Sequence, residues 1–181
     1  MKTIEKILSE ETLTLHNAYL DTLRAKYSVM EKCYPMVKNK DFVGISRIKE
    51  GKLGEDKRKI LRLKAEILCH EIYFDSFGEK YQTSLLIKRK YKSESVFLYS
   101  LYKECIDSDA KFTAVGIERG CIFIKQIHDY LDILKNPTPL LAIDLCEHAY
   151  FNDYRFDKEA YIERAIGYLN LKRLDNFEKE V

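Results

Sequence analysis

Apolar side chains return at helical spacing through residues 8–35, at Leu13, Leu20, Leu23, Tyr27 and Met30. Ser9 and Thr12, with Glu10 and Glu11 between them, supply a helix start, since acids are favoured at the positive end of a helix dipole. The same period returns over 55–76, at Ile60, Leu61, Leu63, Ala65, Ile67, Leu68 and Ile72. Residues 36–54, with Pro35, Gly44, Gly51 and Gly54 near their ends, read as a connection with room for a short helical turn. The two periodic segments predict an antiparallel helical hairpin. Residues 79–92 read as a connector and helix start, and 95–108 as a helix.

Beyond this helix the pattern changes. "GCIFIKQI" (120–127), "YLDILKN" (130–136) and "PLLAIDL" (139–145) are short, rich in Ile and Leu, and separated by turn-length gaps. They predict a three-stranded antiparallel sheet. Helical period closes the chain over 158–180, and there is no internal repeat. The predicted class is α+β in two parts, a helical hairpin over 1–78 and an α/β domain with the sheet over 79–181.

Composition narrows the possibilities. With 181 residues, 46% of them hydrophobic, the chain can bury a sizeable core. Lys plus Arg is 31 against 29 for Asp plus Glu, which gives no whole-molecule reason to expect a nucleic-acid partner. The one dense basic stretch, "IKRKYK" (87–92), reads as a solvated loop or helix face. No apolar run approaches a membrane span, and "MKTIEKILSEE" is too charged for a secretory segment. The five cysteines are odd in number and lack CxxC spacing. A reducing, cytoplasmic setting without a membrane partner is the expectation.

Candidate chemistry rests on the histidines, of which there are four: His16, His70, His128 and His148. Two antiparallel helices can each turn one imidazole, His16 and His70, toward a shared axis. The end of a strand can add Asp144 and His148. Three neutral imidazoles and one carboxylate suit iron, manganese or zinc. Against this stands the ordinary alternative, that a histidine in an apolar helix is a satisfied core residue. Spacing alone does not bring the elements together.

The residues also carry a resemblance. "IDLCEHAYFNDYRFDKEAYIERAIGYLNL" (143–171) resembles, without a gap, the C-terminal signature of the iron/manganese superoxide dismutases. Asp144, Glu147, His148, Ala149, Tyr150, Tyr154, Arg155, Tyr161 and Asn170 fall in register. "AEILCHEIYF" is similar to the second-helix motif of that family, with His70 and Tyr73 matching, and "SEETLTLH" to the segment leading to its first ligand. The resemblance implies His16, His70, Asp144 and His148 as ligands of one iron or manganese ion lying between the two parts. It implies superoxide as substrate, disproportionated to dioxygen and hydrogen peroxide, and a homodimer. Glu147 would reach across that dimer to a ligand histidine, with Tyr150 and Tyr73 beside the site.

The departures are specific. The chain has no tryptophan: Cys146 stands between Asp144 and Glu147, Leu68 two residues before His70, Phe74 four after it, and Leu171 after Asn170, where the family has its cage. Glu66 occupies the place of a glutamine, and a carboxylate can accept hydrogen bonds but not donate them. The gateway tyrosine of the family has three candidate positions. Counting from His16 gives Arg24, the run "HNAYLDTL" gives Tyr19, and the face of His16 three turns on gives Tyr27. The alternative function is a protein of the same fold without dismutase activity, acting as a structural or interaction subunit or on another redox substrate. Cys69 and Cys146, each beside an implied ligand, read as small buried apolar residues.

Overall fold

The structure, a computed structural model, describes residues 3–33, 52–79, 85–135 and 139–176. After a 3-10 helix at Thr3–Lys6 the chain enters α1 (Glu10–Cys33). The predicted start holds: the Thr12 N–H donates to Ser9 Oγ at 3.2 Å, satisfying a backbone donor that the helix cannot. Helix α2 (Lys52–Asp75) begins inside the predicted connection, and 36–51 lie outside the described residues. His16, early in α1, packs on Tyr73 and Phe74, late in α2. Further along α1, Tyr27 joins the apolar cluster that holds Leu63 of α2. The two helices therefore run antiparallel, as their periodicity predicts.

Helices α3 (Leu85–Tyr91) and α4 (Glu94–Ile106) follow. In α3, Leu86 and Ile87 are buried while Lys88, Arg89 and Lys90 are exposed, so the basic stretch is a solvated helix face. The three-stranded antiparallel sheet is present, but its membership differs from the expectation. Its strands are β1 (Phe112–Glu118), β2 (Cys121–Ile127) and β3 (Leu141–Asp144), in the order β2-β1-β3. The central strand, β1, was not anticipated. Its first six residues are all buried, so it lacks the alternation of a half-exposed strand. Arg119 and Gly120, both at positive φ, form the two-residue turn to β2.

"YLDILKN" is not a strand: Tyr130–Lys135 form a 3-10 helix. Asp129 turns the chain there, its Oδ1 accepting from the Leu131 N–H at 3.2 Å and its carbonyl from the Asp132 N–H at 2.8 Å. An unpredicted helix, α5 (Glu147–Tyr154), follows β3. The predicted closing helix is broken, into α6 (Lys158–Gly167) and α7 (Arg173–Asn176), and its last residues, 177–180, lie outside the described residues. Between them the chain leaves the helix to bond the end of α2: Asn170 N–H donates to Ser76 O at 2.8 Å, and Gly78 N–H to Tyr168 O at 3.1 Å.

One core joins the parts. Ala65, Cys69, Ile72 and Tyr73 of α2 share a buried cluster with all three strands and with α4, α5 and α6. Among the described residues, no helix is long and apolar enough to cross a membrane.

Candidate metal centre

Strand β3 ends on Asp144, which pairs with Phe112 of the central strand and is completely buried. Its Oδ1 accepts from the Cys146 N–H at 2.9 Å. That bond, an aspartate closing a turn two residues on, bends the chain out of the sheet and starts α5. His148, in the first turn of α5, then stands back over Asp144. The other two imidazoles come from helices whose apolar stripes bury them. His16 lies on the buried face of α1 with Thr12, Leu20 and Leu23. His70 is carried on α2, where its Nδ1–H donates to the Glu66 carbonyl at 2.7 Å. That bond fixes the tautomer and leaves Nε2 as a bare donor.

The four groups converge. His148, His16 and His70 place Nε2 at 3.3, 3.4 and 3.6 Å from Asp144 Oδ2. His70 Nε2 and His148 Nε2 are 3.3 Å apart. One ligand atom from each of the four lies within 4.8 Å of all the others. Asp144 Oδ2 and both ring nitrogens of His16 are buried without a hydrogen-bond partner. A buried polar atom left unpaired costs about 1–3 kcal/mol, so such a cluster is retained against a gradient unless something fills it. Three imidazole nitrogens and one carboxylate oxygen around a common point are a donor set suited to iron, manganese or zinc. The residues therefore fit a bound divalent or trivalent cation.

The electrostatics agree. Burial alone would raise the pKa of Asp144; the imidazoles of His148 and His16 outweigh it and hold the carboxyl below its ordinary range. Burial lowers the pKa of His70, favouring the neutral ring that can ligate. For His148, burial is opposed and outweighed by Asp144, which raises the imidazole pKa. His148 is also the open side of the cluster, with its side chain 37% exposed against 0% for His16, Asp144 and His70.

Tyr19 stands at that opening, 38% exposed, its ring 5.1 Å from His148 and 5.5 Å from His70. Its hydroxyl donates to Glu66 Oε1 at 2.6 Å. Burial, then the bonded Glu66 carboxylate, push the phenol well above its ordinary pKa. His16 is in the cluster and Tyr19, about one turn on, is at its mouth. Tyr27 donates instead to Glu31 at 3.3 Å, about 16 Å further along the helix from His16 by the rise per residue. Arg24 pairs with Glu71 at 2.8 Å.

Other expected residues fall as follows. Tyr73 packs on His16 and bonds the hydroxyl of Tyr161 at 3.2 Å, while Tyr161 donates to the Asp144 carbonyl at 2.9 Å. Tyr150 is buried and stacks on Tyr161. Cys146 is half-buried, its thiol on the Lys111 carbonyl at 3.6 Å and pushed up to about 12 by burial. Cys69 is buried. Glu147 is exposed, at the first position of α5. Phe74 and Phe112 supply aromatic walls, on His16 and His70 respectively. Phe112 escaped the sequence reading because its strand did.

Residues 79–177 match the family described as "Iron/manganese superoxide dismutases, C-terminal domain". The chain is also similar to a protein named superoxide dismutase (Fe) from Cupriavidus metallidurans, 24% identical over 132 residues. That alignment covers 65% of this chain and 64% of the relative, so the chain spans a little under two thirds of the relative's length.

Proposed function

The chain belongs to the iron/manganese superoxide dismutase family, and we propose that it is a divergent dismutase converting two superoxide ions and two protons to dioxygen and hydrogen peroxide. In this reading His16, His70, Asp144 and His148 hold one iron or manganese ion. The observation that carries it is the convergence of four donors, three of them buried, with the inward atoms of His16 and Asp144 left without a hydrogen-bond partner. The ion, when bound, supplies one-electron chemistry by passing between its 2+ and 3+ states. The chain's part is to hold, orient and admit.

Asp144, kept ionised, offsets part of the cation's charge. The Glu66 carbonyl locks His70 so that only Nε2 faces inward. Tyr19 and Glu66 form the mouth, the one phenol proton of Tyr19 being held by the Glu66 carboxylate. Glu66, unlike the glutamine it replaces, offers only acceptor oxygens there. This favours protonated neighbours and, through them, the reduced ion.

The dimer belongs to the same proposal. Two chains would pair over the α5 face, Glu147 reaching a ligand histidine of the partner subunit and covering the exposed side of His148. A cytoplasmic location is part of it too. The test is elemental analysis of the purified protein together with a superoxide-removal assay. The expected result is iron or manganese with activity that disappears on chelation. Metal-free, inactive protein that cannot be reconstituted would sink the proposal.

A further inference from the structure

The segment that leads into α1 is held by three side chains from the other end of the sequence. The Ser9 N–H donates to Asp153 Oδ2 at 2.7 Å. The Tyr154 hydroxyl donates to the Ile7 carbonyl. Arg164 Nε donates to the Lys6 carbonyl at 2.8 Å. Between and beside these bonds, Ile4, Ile7 and Leu8 are buried in the main core. Three backbone groups within four residues are thus fixed just before the helix begins.

An α-helix rises about 1.5 Å and turns about 100° per residue, so its anchored start sets the height and rotation of every later side chain. His16 lies two turns on from Ser9, about 10 Å along the axis. Its own ring is not fixed by any hydrogen bond, in contrast to that of His70. Tyr73 and Phe74 pack against it, at 5.4 and 5.0 Å between ring centroids. Packing of ring on ring tolerates sliding that a hydrogen bond does not. The direction of the His16 ring therefore depends on where α1 is pinned.

Two of the three pinning residues share a helix with His148. Helix α5 carries His148 in its first turn and Asp153 and Tyr154 in its last. One eight-residue helix thus holds one donor of the cluster and the anchor of another. We infer that Asp153 and Tyr154, with Arg164 of α6, are positioning residues: they clasp the start of α1 so that His16 meets Asp144 and His148. Cation affinity then depends on a clasp that touches none of the four donors. This rests on the metal-binding reading proposed above.

The experiment titrates the metal-free, full-length protein with Co2+, followed by visible absorption, and records its thermal unfolding. Wild type is compared with Asp153→Ala, Asp153→Asn and Tyr154→Phe. Wild type should bind Co2+. Asp153→Ala and Tyr154→Phe should bind it about ten- to a hundredfold more weakly, the range for loss of groups that orient ligands. Their ligand-field bands should shift. Asp153→Asn, which keeps an acceptor oxygen, should recover most of the affinity and the wild-type bands. If Asp153→Ala does not fold, Tyr154→Phe carries the test. Variants that unfold earlier yet bind Co2+ with wild-type affinity and spectrum would overturn the inference and leave the clasp a stabilising contact only. Wild-type protein that takes up no Co2+ would instead overturn the metal-binding reading, and the clasp's role with it.

Discussion

Replacing His16 by leucine should make the metal-free protein more stable and nearly abolish its metal binding. The side chain is 0% exposed and neither ring nitrogen has a hydrogen-bond partner. Two unpaired buried polar atoms cost about 2–6 kcal/mol together, at about 1–3 each. Leucine removes both and is itself at home among Leu20, Leu23 and Phe74. The opposing effect falls on Asp144, which loses the imidazole 3.4 Å from Oδ2. That contact is too long to count as a hydrogen bond and is worth at most about 2 kcal/mol, within the range for bonds to a charged group. His148 and His70 remain, at 3.3 and 3.6 Å, so the carboxylate is not stranded. Taking the middle of the first range, about 4 against at most about 2, the net gain is about 2 kcal/mol, or roughly 4–8 °C in unfolding temperature for a chain of this size. The assay is thermal unfolding after exhaustive chelation, repeated with saturating Mn2+. At about a thousand times its dissociation constant the ion adds about 4 kcal/mol to wild type and little to the variant, so the order of the two proteins inverts. A metal-free variant less stable than wild type by more than about 1 kcal/mol would show that the two ring nitrogens are not a cost to the fold. His16 would then be the satisfied core histidine that its sequence context also allows.

Further expectations follow from the same geometry. The folded pKa of Asp144 lies below its unfolded value near 4, so its contribution to stability is full above about pH 4 and is lost as pH falls through the lowered value. Metal-free Asp144→Asn should lack this component, and identical acid-unfolding profiles would speak against it. Protons compete with metal at His148, whose pKa is raised, so uptake should begin to fall on acidification from above about pH 6.5; uptake unchanged down to about pH 5 would exclude an imidazole donor there. Glu66→Gln should lower the reduction potential of the metal-loaded protein, since the amide can donate as well as accept, and an unchanged potential would remove Glu66 from the account. In the sheet, a Cβ at Gly116 would lie 2.5 Å from Phe123 Cζ and 3.2 Å from Pro139 Cα. Gly116→Ala should therefore cost about 1–3 kcal/mol by chemical denaturation, and a neutral result would mean that Phe123 can move aside.

Much of this was legible in the chain, and the exceptions have physical causes. Helices α1, α2 and α4 announce themselves because each buries one stripe and wets the other. Asp144 and His148 are legible together because the strand end, the aspartate turn and the helix start are consecutive in sequence. Strand β1 was not legible because it is buried on both sides, and Phe112, Thr113, Ala114 and Val115 show no alternation. The run at Tyr130–Lys135 reads as a strand by its apolar residues, yet Asp129 and Asp132 divert its backbone into local bonds. The end of α6 is fixed by partners some 90 residues away, at Ser76 and Gly78, which no local window contains. The gateway question shows the same limit. Arg24, Tyr19 and Tyr27 share one helix, and only its packing against α2 and α5 shows that Tyr19 is the one beside His70 and His148. The clasp at Ser9 lies 144 residues from its acceptor and leaves no local pattern at all.

Four side chains from three separate parts of the chain are proposed to hold a single ion. Anomalous diffraction from crystals of the iron- or manganese-loaded protein, at the absorption edge of the metal, tests it most directly. One strong peak per chain is expected, in bonding contact with His16 Nε2, His70 Nε2, Asp144 Oδ2 and His148 Nε2. No peak at this cluster under saturating metal, or a peak that His16 does not touch, would contradict it.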